Sequence, residues 1–159
     1  FNTFISTGQQ KEPTFDVNPY STYYQKFASD CLKANKIYVV GYSFSDPHFN
    51  RMLLNFLKIS PSNKIVVVDF IQGQVSILAE FMNQGGLIQK ILNQLGVTSL
   101  PMDRTGQNYF YQQQEQDLNN NGFAEIYPQI VLYKNGYDNF LNQFNTLNIW
   151  QKTDKKNCW

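Results

Sequence analysis

The sequence predicts an α/β fold: a partial, Rossmann-like parallel sheet of three or more strands with helices on both faces. Three observations lead there. Up to Gly96, apolar runs of strand length alternate with helical patterns in the order β-α-β-α-β-α. Short connections in that order require crossovers and a parallel sheet. Lys64 to Phe70 is a nearly continuous apolar run, as expected of a strand buried on both faces. Residues 36 to 50 pass from an apolar strand through a turn of small residues into a helix opened by Asp46 and Pro47.

Taken in order, Thr3 to Thr7 alternate and end at Gly8, which predicts a short strand. Residues 9 to 19, with Pro13 and Pro19, form a polar loop. Apolar residues at 23, 24, 27, 28 and 32 predict a helix over Tyr20 to Ala34, stopped by Asn35. Residues 36 to 41 form the next strand. Pro47 to Ile59 form a helix that buries Phe49, Met52, Leu53, Phe56 and Leu57, and Pro61 to Asn63 make the turn into the strand at 64 to 70. Val75 to Leu95 carry helical spacing, with a break at Gly85-Gly86. Beyond Gly96, Asn108 to Gln113 reads as a strand or an irregular aromatic segment. The low-complexity stretch 112–122 reads as an exposed polar loop. Ile130 to Tyr133 reads as a short strand, Tyr137 to Leu147 as a closing helix, and 151–159 as a solvated tail.

Residues 1–159 are enough for a single domain with its own core. Hydrophobic residues make up 42%, aromatics 16% and charged residues only 16%, while Asn and Gln supply about a fifth. A net charge of +1 gives no electrostatic case for nucleic acid or acidic lipid. Arg51 and Arg104 are the only arginines, so bidentate phosphate clamps are scarce. Cys31 and Cys158 form neither a disulfide framework nor a zinc site. Their sparse use fits a reducing, cytoplasmic setting. No apolar stretch reaches the roughly 18 residues that span a bilayer, so no membrane role is expected. The start at Phe1, inside a strand-like run, leads us to expect an excerpt of a longer protein.

The candidate site is the turn after the strand at 36–41. Gly41 allows a sharp turn and close ligand approach, and Ser43 and Ser45 bring hydroxyls beside it. Asp46 suits the helix N-cap and Pro47 the first helical position. A capping carboxylate occupies the amides that an anion would use, so a sugar or amide-bearing group is the better guest than a phosphate. Asp69, at the end of the next strand, can accept two ribose hydroxyls. Each feature has a plainer reading: the first is a capped turn without a ligand, and Asp69 is a second cap. His48, the single histidine, has no partner at triad or ligand spacing and reads as a packing or capping residue. The residues point to no metal site and no catalytic residue. The aromatics at Tyr109 to Tyr111 lack the basic interleaving of a base-stacking platform.

The run Val39-Val40-Gly41-Tyr42-Ser43-Phe44-Ser45-Asp46-Pro47-His48-Phe49-Asn50 resembles the signature turn of SIR2-like domains from bacterial and phage-defence proteins. Thr3 to Gly8, Tyr23 to Phe27 and Ile65 to Asp69 resemble that family's flanking elements, so the similarity covers roughly residues 3 to 70. The closing helix is a weaker match. The resemblance implies NAD as cofactor, cleavage at the nicotinamide–ribose bond as the parent activity, and antiviral defence as the setting. By position it assigns Gly41, Ser43 and Asp69 to NAD contact. The family's Gly-Ala-Gly-x-Ser phosphate loop, Asn/Asp motif and catalytic histidine have no counterpart here. His48 belongs to the signature turn and does not inherit the catalytic role. The chain thus resembles the C-terminal half of an NAD-consuming domain and is expected to be inactive alone, with self-association or the missing N-terminal half completing it. The alternative is a non-catalytic nucleotide-binding or protein-interaction module.

Overall fold

A computed structural model describes residues 20–100 and 109–146. The strand expected at 3–7, the loop at 9–19 and the tail at 151–159 lie outside the described residues. The element order is α1 (Tyr20–Lys33), β1 (Lys36–Val40), α2 (Pro47–Ile59), β2 (Lys64–Val68), α3 (Ile77–Met82), α4 (Leu87–Gln94), α5 (Tyr109–Asn121), β3 (Phe123–Tyr127), β4 (Ile130–Tyr133) and α6 (Tyr137–Thr146).

The four strands form one sheet in the order β1-β2-β4-β3. β1, β2 and β4 are parallel, and β3 joins β4 antiparallel at the edge. The outer edge of β1 is unpaired among the described residues. Side-chain alternation divides the core in two. Val39, Ile65, Val67, Ile130 and Leu132 face Leu53 and Phe56 of α2, Ile77 of α3, Ile88, Ile91 and Leu92 of α4, and Leu118 of α5. On the other face, Val66, Val68, Val131 and Tyr133 meet Phe140 of α6, whose ring lies 5.3 Å from that of Tyr133. Helices therefore cover both faces. α1 packs on α2 through Phe27 and Phe49, with ring centroids 5.4 Å apart. The break at Gly85-Gly86 separates α3 from α4.

Two sequence expectations fail. Residues 112–121 are not a loop but most of helix α5, and the aromatic segment at 109–113 begins that helix and is neither a strand nor irregular. Gln and Glu have good helix propensity, and Tyr111 and Leu118 anchor the inner face at a spacing of seven. Glu115 and Asn119 reach across to the segment 75–78: Asn119 exchanges hydrogen bonds with the Val75 backbone, and Glu115 Oε1 accepts from Ser76 Oγ and Leu78 N. Gly122, at φ +80°, ends the helix, and a Cβ there would force the Asn135 side chain to move. β3 follows, a strand not anticipated from the sequence. Its Phe-Ala-Glu-Ile-Tyr alternation, with Ala124 and Ile126 buried, is the signal that could have found it.

Candidate functional site

Parallel pairing brings the carboxyl ends of β1, β2 and β4 to one rim. Val40 pairs with Val68 and Val68 with Tyr133. Beyond the strands the ladder continues by one step, with Gly41 N–H donating to Val68 O at 3.4 Å and Asp69 N–H donating to Tyr133 O at 2.9 Å. Gly41 and Asp69 thus leave adjacent strands at the same level. Ligands of open α/β sheets bind at such a rim.

The turn from Gly41 to Asp46 holds local backbone strain. Gly41 has φ +60°, and so, less expectedly, does Phe44 at φ +56°. A non-glycine residue in the left-handed region costs roughly 1–2 kcal/mol. Burial of the Phe44 ring, about 1.5–3 kcal/mol for such a side chain, offsets that: Phe44 is 1% exposed and its ring packs tilted against that of Tyr42, centroids 4.9 Å apart. Buried Asn50 then holds the turn from inside. Its Nδ2 donates to Phe44 O and Gln94 Oε1, and its Oδ1 accepts from the Tyr42 hydroxyl. The same hydroxyl lies 3.0 Å from Asp46 O, so its single proton is shared between the two acceptors. Burial pushes the Tyr42 phenol up to about 12, and the Asp46 charge acts in the same direction.

Asp46 caps α2 as its position predicts, with Oδ1 accepting from His48 N at 3.0 Å and Phe49 N at 3.3 Å. The carboxylate therefore occupies the amides an anion would need. With Phe44 driven inward, Ser43 and Ser45 are driven outward; both are exposed, and their hydroxyls lie 2.7 Å apart. Asp69 is partly exposed, and its Oδ1 accepts from Phe70 N at 2.7 Å. Lys134, at the end of β4, is buried and turned inward, donating to Gly73 O at 2.6 Å and Asn119 Oδ1 at 3.1 Å.

The structure thus places Gly41, Ser43 and Asp69 on one rim. His48 stands elsewhere, on the wall of an open cleft of about 450 Å³ with Pro47, Asn50, Arg51, Leu54 and Gln94. That cleft takes in none of the three rim residues, and Asn50 and Gln94 within it bond each other. Among the described residues, no group of three His, Cys, Asp or Glu side chains is placed to hold a metal ion, and no helix is long and apolar enough to cross a membrane. Sequence reasoning missed Phe44 and Asn50 as the anchors of the turn; the only available signal was an aromatic flanked by serines.

No protein-family model, curated protein or solved structure matches this chain.

Proposed function

We propose that the chain binds the ribose-bearing part of a nucleotide, NAD by its resemblance to SIR2-like domains, at the rim formed by Gly41, Ser43 and Asp69. The observation that carries this reading is the strained turn. Backbone strain held in place by a buried ring and a buried amide is characteristic of functional sites, and here its effect is to present two hydroxyls beside a strand that ends in a carboxylate. Vicinal sugar hydroxyls both donate and accept, so they complement serines and a carboxylate. Asp46 and Asp69 both disfavour an anion at the rim, and the basic group of Lys134 is directed away from it.

The parent reaction in this reading is cleavage of the nicotinamide–ribose bond within an antiviral NAD hydrolase. The phosphate cradle and the general base belong to a further segment or chain, and the edge of β1 left unpaired among the described residues offers the place for it. Alone, the chain binds without turnover, in a cytoplasmic setting. Calorimetry with NAD tests the site. Loss of the Asp69 carboxylate removes hydrogen bonds to a charged group, worth about 1.5–3 kcal/mol. Asp69→Ala is expected to raise the dissociation constant at least tenfold while the unfolding midpoint holds. Equal affinity would remove Asp69 from the site. Nicotinamide release by the unaltered chain, abolished by a substitution within it, would overturn the binding-only assignment.

A further inference from the structure

The residue after Asp69 is the most exposed aromatic described: Phe70 is 70% exposed. Leaving a phenylalanine in water forgoes the free energy of burying its ring, and unlike an exposed tyrosine it has no hydroxyl to hydrate. Single exposed apolar residues are ordinary on protein surfaces. Phe70 differs in how firmly it is held and in what stands next to it.

The backbone on both sides of Phe70 is tied to the end of β4. Asp69 N–H donates to Tyr133 O, Ile71 N–H to Lys134 O and Gly136 N–H to Asp69 O, each within 3.0 Å, and Phe70 itself bridges to Asn135. The ring rests over Gly136: a Cβ built there would lie 3.4 Å from Phe70 Cδ2. The Phe70 amide fixes Asp69 Oδ1. The other carboxylate oxygen carries no hydrogen bond among the described residues. A pre-positioned aromatic surface and a carboxylate with one oxygen open are therefore consecutive in the chain, on the rim that presents Ser43.

We propose that Phe70 is a stacking platform for a nucleobase, so that the rim selects a ribonucleoside rather than a simple sugar. This rests on the reading of the rim as a ribose site and adds the base to it. Asp69 accepts the sugar hydroxyls while the base lies on the Phe70 ring. Phenylalanine offers no hydrogen bonds to base edges, so the platform favours large bases by contact area and does not read their edges. The preferred ligand class is a purine nucleoside or a nucleotide whose phosphates project away from Asp69.

NMR titration of the chain with adenosine and with methyl riboside separates the possibilities. Phe70→Ala is expected to weaken adenosine binding about tenfold or more, the usual effect of losing one base–aromatic stack, and to leave methyl riboside binding unchanged. Phe70→Trp is expected to retain adenosine, and thermal unfolding is expected to be the same in both variants. Unchanged adenosine affinity in Phe70→Ala, with a loss in Asp69→Ala, would overturn the platform and leave the ribose site standing. Equal loss in Phe70→Ala and Phe70→Trp would also overturn stacking. No binding of either ligand by the unaltered chain would overturn the ribose site and the platform together.

Discussion

The two rims of the sheet use the same devices to opposite ends. Each has a non-glycine residue in the left-handed region, Phe44 at φ +56° on one and Gln129 at φ +71° on the other. Each has a buried asparagine that bonds a main-chain carbonyl, Asn50 to Phe44 O and Asn63 to Phe56 O. At the amino ends of β2 and β4, every device points inward. Gln129 follows Pro128 in the tight turn between β3 and β4, and its Nε2 donates to Leu57 O, Ser60 O and Asn63 O. Its own N–H donates to Glu125 Oε1. That rim is closed on itself. At the carboxyl ends, the strained residue is an inward-facing ring, and the polar side chains next to it are left outside. Strain at one rim completes the fold, and strain at the other presents Ser43, Ser45 and Asp69. The difference locates the candidate function more specifically than exposure alone.

This contrast predicts that the amino rim carries stability and the carboxyl rim carries binding. The largest effect is expected at Gln129. Gln129→Ala removes a donor shared by three partly buried carbonyls, of which Ser60 O keeps its bond from Asn63 N–H; an unsatisfied group costs about 1–3 kcal/mol, less where one amide is shared. A net loss of about 1–3 kcal/mol in denaturant unfolding is expected, with nucleotide affinity of the folded fraction unchanged. A loss of affinity would break the contrast. Next is the helix cap: Asp46→Ala is expected to cost about 0.5–2 kcal/mol, and an unmoved unfolding midpoint would contradict the capping role.

The pH dependence sharpens the same contrast. The Tyr42 phenol is held above its ordinary value of 10.0, at about 12. A group whose folded value is raised keeps its proton in the native state, so its contribution is complete below pH 10 and is lost as pH rises toward 12. Stability is expected to fall across that window, and less steeply in Tyr42→Phe. Tyr111, also pushed to about 12 by burial, accounts for part of the remaining slope. An identical pH profile in Tyr42→Phe would contradict the burial of that hydroxyl. The smallest stability effect is expected for Ser43→Ala with Ser45→Ala, within about 0.5 kcal/mol of the parent because both side chains are exposed. Their loss is expected to appear in nucleoside affinity instead.

Much of the carboxyl rim was legible in the sequence because local rules govern it. Asp46-Pro47 marks a helix start wherever it occurs in such a turn, and α2 runs from Pro47 to Ile59 as its spacing predicts. The apolar run at 64–68 marks a central strand, and Val66, Val67 and Val68 are buried. What depends on distant partners was not legible. α5 presents only Tyr111 and Leu118 to the core across a polar run, and its standing as a helix depends on contacts from Glu115 and Asn119 to residues some 40 positions away. The strained φ of Phe44 was hidden for the same reason, since it is held by burial of the ring in the core and by Asn50, which is itself bonded to Gln94.

The most direct test of the contrast is a backbone amide NMR map of the chain titrated with ADP-ribose. The account predicts that the amides of Gly41, Ser43, Asp69 and Phe70 shift together along one binding curve, while those of Asn63, Gln129 and Ile130 stay in place. Shifts centred on the amino rim, or on the cleft lined by His48 and Arg51 with Asp69 unmoved, would contradict it.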